Sequence, residues 1–112
     1  MEIAQRNAGN VTIAKMSDQR VDARLAGEFK RHLQALIESS NPLIALDLSE
    51  VDFIDSSGLG VIVAALKQLK GRGDLVIVGA RPAVVNLFRL TRMDKVFRMF
   101  PRADDAVAAL SN

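Results

Sequence analysis

Apolar and polar positions change their period several times along the chain. Residues 1–6 and 11–16 are short strand-like pieces, and Asn7-Ala8-Gly9-Asn10 between them has turn chemistry, so a hairpin is expected. A polar connection over 18–22 follows. Leu25, Phe29, Leu33, Leu36 and Ile37 then recur at spacings of three and four, the mark of an amphipathic helix. Glu28, Lys30, Arg31 and Gln34 fall mostly on its other side, and Ser39-Ser40-Asn41-Pro42 ends it. Residues 43–48 are nearly all apolar, as in a strand covered on both faces. A second helix is expected from about Ser57, burying Leu59, Ile62, Val63, Leu66 and Leu69 and ending at Gly71-Arg72-Gly73. Residues 75–78 read as another buried strand. Ala80-Arg81-Pro82 opens a third helix with Val84, Leu87, Phe88 and Thr91 inward. Residues 97–100 give a short last strand, and a fourth helix runs from Pro101 through Ala108, Ala109 and Leu110. Strands alternating with helices predict an α/β fold: a mostly parallel sheet, an antiparallel N-terminal edge and about four helices.

Composition narrows the function. At 112 residues the chain is expected to be one domain over 1–112. Its cations are scattered, and only Arg89, Arg92, Lys95 and Arg98 come close to a cluster. With no Trp, no Tyr and a net charge of +2, no nucleic acid partner is expected. The lack of Cys excludes disulfides and thiolate metal sites, and the single His32 excludes a histidine-rich one. No apolar run approaches the ~20 residues of a membrane span, so no membrane insertion is expected. Residues 1–6 lack the apolar segment of a signal peptide, and a cytoplasmic location is the expectation.

The most informative stretch is Asp55-Ser56-Ser57-Gly58-Leu59-Gly60, where a loop after a buried strand enters a helix. A helix N-terminus has orphan N–H groups and a partial positive charge, which favour an oxygen-rich group and favour a phosphate more. The serines also suit ordinary helix capping, and the glycines suit a tight turn or close helix packing. Enzymatic chemistry finds little support. The stretch is not a Gly-x-Ser-x-Gly elbow, and His32 is the only histidine. There is no phosphate-binding Gly-x-x-x-x-Gly-Lys loop. Asp47 sits at a strand end as a receiver phosphoacceptor would, but the first strand ends Gln5-Arg6-Asn7 with no acid pair.

Residues 46–61 resemble the core motif of bacterial anti-sigma factor antagonists, the single-domain STAS proteins. Upstream, Asp22 followed by Ala26, Phe29 and Lys30 is similar to the family's aspartate-loop-helix segment. Downstream, residues 71–78 are similar to its glycine turn and fourth strand, and 82–88 to its third helix. The resemblance implies the STAS fold. It implies phosphorylation on the first hydroxyl, here Ser56, by a serine-protein kinase that often doubles as an anti-sigma factor. A PP2C-type phosphatase would remove the phosphate. Asp22 matches the acidic residue near the phosphosite, and Asp55 precedes the acceptor. Gln19, Leu25 and Arg92 depart from the family's glycine, Thr or Asn, and glycine at the matching positions.

The expected function is a binding switch, not an enzyme, with no cofactor because ATP belongs to the kinase. Unphosphorylated, it binds the kinase or anti-sigma factor and releases that protein's client. Gly58, Leu59 and Gly60 are expected at the centre of the contact, with Ser57 as cap beside Ser56. Asp22 and Asp55 repel or orient the phosphate or position the hydroxyl, or are simply solvated like Asp52. The alternative is a STAS subunit regulating an ABC-transporter ATPase without phosphorylation. Arg89, Arg92, Lys95 and Arg98 are either a solvated face or a dock for acidic partner residues.

Overall fold

The computed structural model describes residues 1–39 and 42–111, so Ser40 and Asn41 of the expected helix stop lie outside the described residues. The chain begins with the hairpin β1 (Ile3–Ala8) and β2 (Val11–Met16), then β3 (Arg20–Val21) and α1 (Ala23–Ser39). β4 (Leu43–Asp47), β5 (Phe53–Ile54) and α2 (Ser56–Leu69) carry the central motif. β6 (Asp74–Val78), α3 (Pro82–Leu90), a 3-10 turn (Met93–Lys95), β7 (Met99–Phe100) and α4 (Ala103–Leu110) complete the fold. The main sheet has the order β1-β2-β4-β6-β7. β1 is antiparallel to β2, and every other neighbour in that sheet is parallel. This is the expected α/β architecture with an antiparallel N-terminal edge.

The apolar runs of the middle strands follow from cover on both faces. Ile44, Leu46, Leu75 and Ile77 point into a core with Phe29 and Leu33 of α1, Ile62 and Leu69 of α2, and Phe88 of α3. Ala45, Val76 and Val78 point the other way, onto Ala106 and Leu110 of α4. The period of two in a strand divides one sequence run between two cores. Phe88 meets Phe97 edge to face at 5.6 Å, which fixes α3 against the turn that leads into β7.

Several local expectations are corrected. The supposed polar connection over 18–22 contains β3, which pairs in parallel with β5 as a separate ribbon, Arg20 opposite Phe53 and Val21 opposite Ile54. Val21 and Ile54 are buried while their neighbours face out, so two residues on each strand suffice to make the ribbon. On α2 the buried stripe runs through Gly58, Leu59, Ile62, Ala65 and Leu69, while Val63 and Leu66 are only partly covered. At 3.6 residues per turn Ala65 and Leu66 flank the line from Ile62 to Leu69 on opposite sides, and it is the Ala65 side that is buried. Thr91 is exposed rather than inward, and its hydroxyl donates to the Leu87 carbonyl at 2.7 Å, closing the end of α3. At the turn before β6, Gly73 is held against Pro42. A Cβ there would lie 2.0 Å from the Pro42 carbonyl oxygen, which accepts the Asp74 N–H at 3.0 Å.

Candidate functional site

Ser56 and Ser57 are the first two residues of α2, and both are exposed. The cap expected of Ser57 belongs instead to Asp55. Its backbone is extended, φ −95° and ψ −177°, and its Oδ1 accepts the Gly58 N–H at 3.0 Å. A side chain one residue before the helix can fold back onto the third helical N–H; one already inside the helix cannot. The second oxygen, Oδ2, accepts the N–H of Ala23 at 3.1 Å, at the first residue of α1. The Asp55 N–H donates to Val21 and its carbonyl accepts from Leu59. One residue thus ties α2, α1 and the β3–β5 ribbon together. Neither serine hydroxyl has a hydrogen-bond partner among the described residues.

The three residues expected to present a contact surface do not share one environment. Gly58 is buried because the first turn of α2 rests on β3. A Cβ on Gly58 would lie 2.8 Å from the Val21 carbonyl oxygen and 3.0 Å from Ile54 Cγ2. Leu59 is 7% exposed and belongs to the core. Only Gly60 of the three is exposed, and a Cβ on it would meet nothing within 4 Å.

Asp22 lies beside the bracket made by Asp55. Its Oδ1 accepts the Arg24 N–H at 3.1 Å, and the Arg24 guanidinium approaches to 3.5 Å. Burial pushes the Asp22 carboxyl up. The Arg24 N–H and guanidinium and the charge of Arg20 outweigh it and hold the group below the ordinary carboxylate range. It is therefore ionised at neutral pH. Asp52, weighed above as a solvated charge, is paired with the Arg81 guanidinium, whose Nε also donates to the Ser49 carbonyl at 2.7 Å. Asp47 accepts the Ser49 N–H at 2.9 Å and so shapes the same loop. His32 is half-buried on α1.

Sequence reasoning missed three contributors. Arg81 reaches back 29 residues to Asp52 and 32 to Ser49, a separation that leaves no local pattern. Arg20 lies over the Phe53 ring at 4.4 Å, a cation–π contact on the open side of the ribbon. Phe53, beside the motif, is 39% exposed, the one signal that an aromatic was left outside the core. Among the described residues no group of three or more His, Asp or Glu is placed to hold a metal, and no helix is long and apolar enough to cross a membrane.

The arrangement offers two free hydroxyls at the positive end of a fourteen-residue helix, on a turn fixed by a carboxylate. A phosphoryl group on either would bring about −1.5 to −2 charges to a surface already carrying Asp22 and Asp55.

A family model described as the STAS domain matches residues 3–106. The anti-sigma-B factor antagonist of Listeria monocytogenes is 30% identical over 100 residues, which span 88% of this chain and 86% of that protein. The anti-sigma F factor antagonist of Paenibacillus polymyxa is 32% identical over 98 residues, 79% of this chain and 81% of that one. Among solved structures, an anti-sigma factor antagonist from Mycobacterium paratuberculosis superposes with a TM-score of 0.90 at 27% identity, covering 99% of this chain and 94% of that one.

Proposed function

Because the chain belongs to the STAS domain family, we propose that it is an anti-sigma factor antagonist whose binding is switched by phosphorylation of Ser56. Relatives that carry that name along most of their length support the role. The observation that carries the switch is the division of labour at the start of α2. Asp55 takes over the cap, so the exposed Ser56 hydroxyl holds no structural hydrogen bond and is open to modification. Its loss or derivatisation leaves the helix start intact.

Unphosphorylated, the protein binds a serine-protein kinase that is also the anti-sigma factor, and releases that protein's client. The contact is formed by Ser56, Ser57 and Gly60 with the flanking Phe53, rather than by the inward Gly58 and Leu59. An exposed glycine and an exposed ring let another surface approach closely. Phosphorylation places a dianionic group in that contact beside Asp22 and Asp55. A charge that must be desolvated there without a partner weakens binding strongly. A PP2C-type phosphatase restores the binding state. The chain needs no cofactor, because ATP enters with the kinase.

The test incubates the protein with its kinase and ATP, maps phosphate by mass spectrometry and measures partner affinity by calorimetry. Ser56→Ala removes the acceptor oxygen, and the variant should bind without being phosphorylated. Ser56→Asp should bind weakly. Ser57→Ala should be phosphorylated normally and lose little stability, since it is not the cap. Phosphate on Ser57, with Ser56→Ala modified as readily as wild type, would refute the assignment.

A further inference from the structure

We infer that the open edge of the main sheet at β7, with the adjoining side of α3, is a second docking surface, for an acidic and aliphatic segment of a protein partner. The groove is lined by Val85, Phe97, Met99 and Phe100, with Arg89 and Lys95 on its rim. None of its residues belongs to α2 or to the β3–β5 ribbon, so the inference stands apart from the Ser56 switch.

Three observations converge on the occupant. The first is charge. Arg24, Arg81, Arg98 and Arg102 are all ion-paired. Arg89 and Lys95, which line the groove, have no ion pair among the described residues; Arg98 also lines it but is paired with Asp74, and Asp94 is the one carboxylate in the lining. Two unpaired cations against that single carboxylate leave the lining positive, and an acidic partner complements it.

The second is apolar exposure. The large apolar side chains left exposed among the described residues are Phe53, Leu90 and Val96; Leu90 follows Arg89 in sequence at 76% exposure, and Val96, which follows Lys95, lines the groove at 52%. A purely electrostatic surface would not need them, and the aliphatic residues of a partner would cover them.

The third is backbone. Among the described residues β7 pairs with β6 on one side and with no strand on the other. The carbonyls of Arg98 and Phe100 accept from Ile77 and Gly79 at 3.0 and 2.9 Å. Alternation along a strand therefore turns the N–H and C=O of Met99, between them, toward the open edge. An extended segment could add there as another strand, with its carboxylates at Arg89 and Lys95 and its aliphatic side chains in the groove.

A fluorescein-labelled peptide of alternating glutamate and valine is the probe, titrated into isotope-labelled protein and followed by amide chemical shifts. Shifts should cluster at residues 89–100, and affinity should fall as salt rises. The double variant Arg89→Glu/Lys95→Glu, whose own spectrum reports whether it folds, should bind at least about tenfold more weakly. Val96→Asp supplies a second, independent loss of binding. No binding, shifts confined to the start of α2, or unchanged affinity in both variants would overturn the inference. Capture by phosphatidylserine vesicles with no response to the peptide would also overturn it, by assigning the patch to a membrane surface.

Discussion

Gly58 and Gly60 stand two residues apart on α2 and meet opposite surroundings. At Gly58 a methyl group would press on the Val21 backbone at 2.8 Å, so β3 itself would have to move. Overpacking of that kind costs about 1–3 kcal/mol, which exceeds the roughly 1 kcal/mol by which alanine favours a helix. At Gly60 the methyl group would enter open space, and only the helix preference remains. Gly58→Ala should therefore lower the urea midpoint, while Gly60→Ala should raise stability by about 0.5–1 kcal/mol. Calorimetry against the kinase partner proposed above separates stability from contact at the same position. Gly60→Ala should bind more weakly despite its firmer fold, because the added methyl group stands on the exposed side of the helix. The residue scale also shows where a motif stops being informative. Asp55, Ser56 and Ser57 are each a good helix-start residue by type, and only the extended backbone of Asp55 decides which one caps.

At the scale of elements, legibility followed apolar pattern and turn chemistry. β4 and β6 were readable because each is five residues with a single polar position at one end, and β2 because the turn chemistry of residues 7–10 precedes it. β3 and β5 were not, because each sits in a polar stretch where Arg20 looks like loop, whereas the equally short β7 lies in the run 97–100 that holds Phe97, Met99 and Phe100. The end of α3 carries a different lesson. Arg92 was noted as a departure from glycine, and its backbone explains why glycine is usual at such a place: φ is +62° and ψ is 17°, the left-handed region. A residue with a Cβ loses roughly 1–2 kcal/mol there, and glycine gives back about 0.4–1 kcal/mol through its freer unfolded chain. Arg92→Gly should thus raise stability by up to about 1 kcal/mol, read as a higher thermal midpoint.

Across the whole molecule, the fold was legible because one rule governs it: strands between two helical layers have no polar side. The same rule hides the site. Its parts come from β3, the β4–α2 loop and the start of α3, and they meet only through long-range contacts such as Arg81 with Asp52 and Ser49. The motif showed which turn mattered, but nothing in local spacing showed that Gly58 and Leu59 face inward or that Phe53 does not. The two bonds made by Asp55 reach further than the helix they start. Its oxygens hold Gly58 and Ala23, one amide nearby and one 32 residues upstream. Opening either the first turn of α2 or that of α1 strips the same carboxylate. In hydrogen–deuterium exchange the two amides should report a single event with one free energy. Asp55→Ala should release both together, with neither left protected alone. The neighbourhood of Ser56 then behaves as one hinge, so an enzyme acting on the exposed hydroxyl meets a turn braced by both helices at once.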